Sequence, residues 1–584
     1  HHDDVTMLYF CQVSYSNFSV AVSEDGESWS DDYIADMAEG ECFQWKYLTP
    51  SYMGKDKYGN DKRFFYSQPI KFSARYVRIT SQQIGLKMNE AIFQDANGDR
   101  IPATVIAQLN VMEESTLYSD ANNIFDEQDT LEGLPSWWNS TYFDEIYHAR
   151  TAYEHLHGTA PYETSHPPLG KVIMSLGIAI FGMVPFGWRV MGALAGILML
   201  PAMYLLGKQL TKKSSFAFAA ALMLALDCQH FTQTRIATID SYPVLFILFS
   251  WLFMLRFMQR DIVRLPVKKL LPDLALSGLF MGLGIASKWI GVYSGAGLAV
   301  AFFWTIFRHM RMAATSAHLL KTDKSLSDED RKILTLRDQT TMKRVLVICL
   351  WCLLFFVAIP LAIYLLAYIP YFAYAHFDNL KDYLTAVWNA QLSMFSYHSK
   401  PGLGMDHPFY SPWYEWIFNQ RPMYYASPTY VNTPGWSYAI WCFGNPAIWS
   451  AALVGFAYTV FMWVKRHRYT LRKDGETLHW TAADWDVTMP FLLLSALSQF
   501  LPWVLVPRGT YIYHYFATTP FLMLSITVLF RDITRRFPKT GKWLLGIFLG
   551  VCLVMFVAYF PYASGALTPT WWLDFMEQFL RIYY

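Results

Sequence analysis

Hydrophobic and polar positions divide this chain into two regimes. After residue 185 the apolar residues gather into ten blocks, 190–206, 216–231, 242–258, 274–287, 290–307, 345–368, 446–464, 487–506, 513–530 and 543–560. Blocks of this kind suit a hydrocarbon layer about 30 Å thick, so each predicts a membrane-spanning helix. The segment 172–185 is also apolar but short, and it precedes the first block without a charged cytoplasmic turn. It is read as a helix lying along the outer membrane surface, with a re-entrant or spanning helix as the alternative. Ahead of it the period changes. Phe18-Ser19-Val20-Ala21-Val22 alternates and runs into the turn Glu24-Asp25-Gly26, and Tyr76-Val77-Arg78-Ile79-Thr80 alternates again. A period of two bounded by turn residues predicts strands.

Composition agrees with a soluble β domain joined to a polytopic membrane domain. Hydrophobic residues make up 54% of the chain and charged residues only 16%, far from soluble usage. The net charge of +1 says little; its distribution says more. Alternate connections (208–213, 256–269, 308–344, 465–473, 531–542) carry 27 Lys and Arg, and the intervening ones carry 7. The positive-inside rule assigns the first set to the cytoplasm. Residues 1–185 and the C-terminal tail then lie outside. An external N-terminal domain needs a signal peptide or a preceding membrane helix, yet the sequence opens His1-His2-Asp3. The expectation is a first helix missing from this sequence, eleven in all. Cys349 and Cys352 form a CxxC inside an apolar block, where packing is the expected role. Cys11 and Cys42 can pair if their domain is extracytoplasmic.

The chemistry-bearing stretch is Tyr142-Phe143-Asp144-Glu145-Ile146-Tyr147-His148, followed by His166-Pro167-Pro168-Leu169-Gly170-Lys171. Two adjacent carboxylates at the mouth of a membrane domain suggest proton or ion handling, or acid/base chemistry on a substrate presented there. The two prolines hold an extended backbone before the next helix. Outer-side charges are few: Arg189, Arg235, Asp240, Lys288, Arg421 and Arg508 sit at span ends or in short loops. An Arg in the bilayer core costs about 2.5–3.5 kcal/mol. Several cations near the outer interface make a site for an anion, and a lipid phosphate is the natural candidate. Snorkelling or helix-to-helix ion pairing is the bland alternative for any single one. No cluster with metal-ligand spacing is visible, and no nucleic-acid partner is expected.

These motifs together resemble the protein O-mannosyltransferases. Phe143-Asp144-Glu145 with the His166–Lys171 run is similar to the first external loop of that family. Thr232-Gln233-Thr234-Arg235-Ile236 with Ile239-Asp240-Ser241, Ala286-Ser287-Lys288-Trp289-Ile290-Gly291, Gly444-Asn445-Pro446-Ala447 and Tyr513-His514-Tyr515-Phe516 resemble later segments, in order. The resemblance runs from about residue 138 to the end. It implies an inverting membrane glycosyltransferase of the GT-C type, with eleven helices. Such an enzyme moves mannose from polyprenyl-phosphate-mannose to Ser or Thr hydroxyls of exported polypeptides, with membrane lipids around it and no cofactor beyond the lipid-linked donor. It makes Asp144 the base and leaves Glu145 to orient the acceptor or the loop, or to share hydrogen bonds with a basic partner. Arg189, Arg235, Lys288 and Arg508 are candidates for the donor phosphate, with Arg508 and Arg235 favoured because they flank short external turns, and His166, Asp240 and His514 are candidates for orienting substrate. A phosphate leaves readily, so the chemistry requires no metal, although a divalent ion is left open.

The N-terminal strands resemble a discoidin-like jelly roll, clipped at its front; such domains bind glycans or surfaces, or act as spacers. The expected organisation is a discoidin-like domain over 1–112, an external loop with the carboxylates over 113–186, and a transmembrane core over 187–371. An aromatic-rich external connection over 372–444 and a four-helix C-terminal region over 445–584 complete it. Trp388, Trp413, Tyr414, Trp416, Tyr424, Tyr425 and Trp436 crowd that connection and suggest an interfacial belt, or a surface for stacking sugar or peptide. The place of a β-trefoil insert in eukaryotic members is taken by this connection, which points to the bacterial branch. Two other functions fit less well. One is a GT-C enzyme with another sugar or a lipid or glycopolymer acceptor. The other is a transporter with a carbohydrate-binding ectodomain, which should show internal repeats and midplane charges.

Overall fold

In the computed structural model the described residues are all except 12–16, 37–42, 56–60, 82–87, 110–119, 129–130, 132–133, 429–432, 466–470, 475–476, 481–485 and 581–584. Cys42 is among those omitted, so the Cys11–Cys42 pairing lies outside the described residues. The chain forms two units, one of His1–Arg150 with Met183–Pro185 and Ala426–Tyr438, the other of the remaining helical chain.

Alternating segments of the first unit pair as antiparallel strands: β1 (His2–Cys11), β2 (Asn17–Ser23), β3 (Tyr33–Asp36), β4 (Trp45–Tyr47), β5 (Ser51–Lys55), β6 (Asp61–Phe65), β7 (Phe72–Ala74), β8 (Tyr76–Ser81), β9 (Met88–Gln94) and β10 (Arg100–Ile101). One sheet has the order β10-β9-β1-β4 with β7 also on β1, and a second has β3-β2-β8. The two strands expected from alternation are therefore neighbours, with Val20 opposite Ile79. Met7 and Tyr9 of the first sheet share a buried core with Phe18 and Val20 of the second, and the Tyr9 and Phe18 rings meet edge to face at 5.0 Å. Two antiparallel sheets closed over an apolar core make a sandwich, compatible with the discoidin-like resemblance.

The second unit is helical. α1 (Glu145–Leu156) enters it from the first, and α2 (Leu169–Phe181), α3 (Pro185–Thr211), α4 (Ser214–Ala225), α5 (Cys228–Arg235), α6 (Ser241–Met258), α7 (Leu271–Ser287), α8 (Ile290–Thr322), α9 (Asp328–Leu353), α10 (Ile359–Tyr371) and α11 (Leu380–Ser399) follow. Further helices cover Pro446–Lys465, Thr488–Phe500, Thr519–Arg536 and Pro538–Ser564. Seven helical runs among the described residues are long and apolar enough to cross a membrane, and α2, α4 and α7 are shorter apolar helices.

Three differences from the sequence reading have local causes. The block 216–231 is broken, because the chain turns at Leu226-Asp227 between α4 and α5. There Asp227 accepts from the Asn445 amide at 2.8 Å and the Trp449 indole at 3.1 Å, a buried polar junction that a continuous helix would forfeit. The run 328–371 is unbroken but passes through a π-turn at Leu354–Ala358. α7 packs so closely on it that a Cβ at Gly278 would stand 2.1 Å from the Phe355 carbonyl oxygen. The connection 372–444 holds a 20-residue helix, α11, whose N-cap Asn379 accepts from the Asp382 amide.

Candidate functional site

The two carboxylates diverge at the start of α1. Phe143 takes a left-handed φ of +49°, and the Asp144 carbonyl accepts from the Tyr147 and His148 amides, each at 3.1 Å. Glu145 is fully buried, and its carboxylate turns back to accept from the Tyr142 amide at 3.2 Å. It pins its own loop. The Asp144 side chain is only half-buried.

In the second unit the proline run delivers the chain into α2, and the motif's lysine is spent on the loop that precedes it. Lys171 is fully buried; its ammonium pairs with the Glu163 carboxylate and donates to the Glu163 carbonyl at 2.9 Å. The Ser165 hydroxyl bridges the same carboxylate to His166 Nδ1, 2.7 Å away. Burial holds the His166 pKa well below the ordinary imidazole value against the pull of Glu163, and Lys288 and His398 lower it further.

The outer cations separate into two groups. Lys288, in the short link between α7 and α8, pairs with Asp240 at 2.7 Å, both nearly buried, and its ammonium lies 5.9 Å from the Tyr513 ring centre. Arg508 stacks on Tyr397 of α11, with its guanidinium carbon 5.9 Å from the ring centre. Among the described residues no carboxylate pairs with it. Between them stands His514, whose Nδ1 lies 3.0 Å from the Tyr511 amide nitrogen and whose ring meets Trp503 at 4.4 Å. Burial, then Lys288 and Arg508, holds its pKa well below the usual value. Lys288, Arg508, His166 and His514 thus converge, with Asp240 as counter-ion to the lysine.

Arg235 is used elsewhere. Its guanidinium donates to the carbonyls of Ala563 and Ser564 at the end of the helix Pro538–Ser564, where a cation complements the helix dipole. Arg189, on the first turns of α3, lies half-buried with its guanidinium carbon 5.8 Å from the Trp188 ring centre. Arg421 pairs with Glu415 at 3.3 Å. The aromatic connection also divides: Trp388 and Tyr414 are exposed, whereas Trp416 is buried with its indole on Ser411, and Tyr425 is buried with its hydroxyl donating to Gln233 at 2.6 Å.

Sequence reading missed His398 and Tyr397. His398 is bonded to the Ser165 carbonyl at 2.7 Å, and its ring centre lies 5.1 Å from that of His166 and 5.8 Å from Trp289. The available signal was the Asn379 cap at the head of a helical period. It would have shown the last turn of α11 to be ordered structure, with a histidine on it.

Two family profiles match in tandem. "Dolichyl-phosphate-mannose-protein mannosyltransferase" covers residues 180–380, and the "C-terminal four TMM region of protein-O-mannosyltransferase" covers 383–576. The polyprenol-phosphate-mannose–protein mannosyltransferase of Mycolicibacterium smegmatis strain MKD8 is 24% identical over 69% of this chain and 78% of its own length. That of Mycobacterium tuberculosis H37Rv is 25% identical over 71% and 80%. The Saccharomyces cerevisiae protein O-mannosyltransferase Pmt1-Pmt2 complex bound to the sugar donor shares the fold, with a TM-score of 0.59, 12% identity and coverage of 76% of this chain and 89% of that one.

Proposed function

Since the chain belongs to the protein O-mannosyltransferase family, we propose that it transfers mannose from polyprenyl-phosphate-mannose to Ser or Thr hydroxyls of polypeptides, with inversion at the anomeric carbon. Names borne by relatives of similar length point to this donor and acceptor. The observation that carries the chemical reading is the convergence of Lys288, Arg508 and two neutral histidines, with Arg508 lacking a carboxylate partner among the described residues. A half-buried cation with no carboxylate beside it among the described residues is suited to an anionic ligand.

In this reading the acceptor oxygen attacks the anomeric carbon as the bond from that carbon to the phosphate oxygen breaks. The hydroxyl proton passes to the Asp144 carboxylate, which becomes a neutral acid. The departing polyprenyl phosphate gains one negative charge, and Arg508 and Lys288 stabilise it as it develops. Glu145 holds the loop that presents Asp144, and Asp240 holds Lys288. A phosphate leaving group matched to two side-chain cations needs no metal, so chelation with EDTA should leave transfer unchanged. The charge bias of the loops supports an extracytoplasmic site.

The sandwich is read as a glycan-binding or docking module. Tyr52 and Phe64 stack at 5.5 Å, and Tyr52 lies 5.2 Å from Tyr66, a partly exposed aromatic surface of the kind that stacks on sugar rings. Titration with mannosylated peptide, followed by the fluorescence of these tyrosines in the full chain, tests this role.

The enzymatic test is transfer of radiolabelled mannose from the lipid donor to a Ser/Thr peptide by the purified full chain. Asp144→Asn should abolish transfer, and Arg508→Gln should lower kcat/KM by about a hundredfold. Unchanged transfer by Asp144→Asn would overturn the assignment of the base. No transfer by the wild-type protein would overturn the function.

A further inference from the structure

His398 lies on the last turn of α11, and its geometry limits what it can do. Its Nε2 lies 2.7 Å from the Ser165 carbonyl oxygen. A carbonyl only accepts, so Nε2 carries the proton. In the neutral ring Nδ1 is then a lone pair, which meets no hydrogen-bond donor among the described residues. Burial first and Arg508 second push the pKa of this ring down to about 4, against the pull of the Ser165 carbonyl and Glu163, so the neutral form dominates at pH 7. The ring is braced on three sides, by His166 at 5.1 Å, Trp289 at 5.8 Å and Tyr397 at 5.3 Å. α11 itself is anchored by Gln391, which bonds the hydroxyls of Tyr364 and Tyr368 on α10.

A rigid acceptor nitrogen beside a phosphate site is the wrong partner for the phosphate, since a lone pair repels an anion. It suits a hydroxyl. The sugar is joined directly to the phosphate, so its hydroxyls are the nearest ones that a bound donor supplies. Resting on the phosphate-site reading above, we propose that His398 is a specificity-determining residue whose Nδ1 accepts a hydrogen bond from one hydroxyl of the transferred sugar. Its fixed tautomer selects donors by whether they present a hydroxyl at that place.

The test uses the full chain with polyprenyl-phosphate-mannose and with monodeoxy analogues that each lack one sugar hydroxyl. His398→Gln keeps an amide N–H near the Nε2 position and deletes the Nδ1 acceptor. In the wild type one analogue should lose about tenfold in kcat/KM. His398→Gln should lose the same factor with the natural donor and be indifferent to that deoxygenation. Equal deoxy penalties in both proteins, or no hydroxyl sensitivity in the wild type, would overturn the proposal. So would a loss confined to the KM for peptide. Inhibition by polyprenyl phosphate, which carries no sugar, separates this inference from the one beneath it. It should weaken in Arg508→Gln and stay unchanged in His398→Gln. Weakening in His398→Gln overturns the sugar contact alone, and insensitivity to Arg508→Gln overturns the phosphate site.

Discussion

Lys288→Met leaves Asp240 as a buried, uncompensated carboxylate. The pair is in contact at 2.7 Å, and the side chains are only 10% and 9% exposed, so solvent cannot replace the lost partner. Breaking such a pair from one side costs about 3–5 kcal/mol, most of it the desolvation of the charge left behind, whereas removing both charges together is near neutral. Lys288→Met should therefore lower stability by that amount, and Asp240→Asn with Lys288→Met should recover most of it. Activity should behave differently. The recovered double variant still lacks a cation for the leaving phosphate, and its transfer rate should remain about a hundredfold below wild type. Denaturant titration in detergent gives the first quantity and transfer of labelled mannose the second. A double variant that is both stable and active would show that Lys288 only balances Asp240. A single variant as stable as wild type would show that no buried pair exists.

Arg235→Gln should destabilise the protein by about 1.5–3 kcal/mol, because two carbonyls at a helix end lose a charged donor, while the KM for the lipid donor stays unchanged; a raised donor KM would return Arg235 to the phosphate site. Gly278→Ala should cost about 1–3 kcal/mol by thermal melting, since the added methyl meets backbone at the π-turn and not a side chain that can move. Burial, reinforced by Asp126, raises the Glu90 pKa to about 8. The folded sandwich then holds a proton that the unfolded chain releases near its ordinary value, so this contribution is fully present below that value and is lost as pH rises towards 8. Protection of the β9 amides from hydrogen exchange in the full chain should fall across that range, and Glu90→Gln should flatten the fall.

What could be read along the chain depends on neighbours in sequence. Apolar blocks, alternating strands and loop charge are local sums, which is why helices occupy nearly all of the expected spans and the segments around Phe18 and Tyr76 pair in one sheet. The exceptions mark where a distant partner intervenes. Asp227 breaks a block because Asn445 and Trp449 meet it, and a period reading contains neither.

The candidate site divides in the same way. Asp144 and Glu145 are adjacent and the proline run follows in the same stretch of chain, so they were legible together as a motif. Which cations act together was not, because convergence depends on distances that sequence spacing does not encode. Arg235 and Arg508 look alike as isolated charges near apolar ends. Packing gives one the carbonyls of a helix terminus and leaves the other on a tyrosine face, with no counter-charge among the described residues. His398 reaches the proline loop across 233 residues. The chain by itself determined the inventory of helices, strands and charged groups; only the tertiary structure decided which charges are neutralised and which remain available, because in a low-dielectric interior a charge's energy is set by what lies within a few ångströms of it.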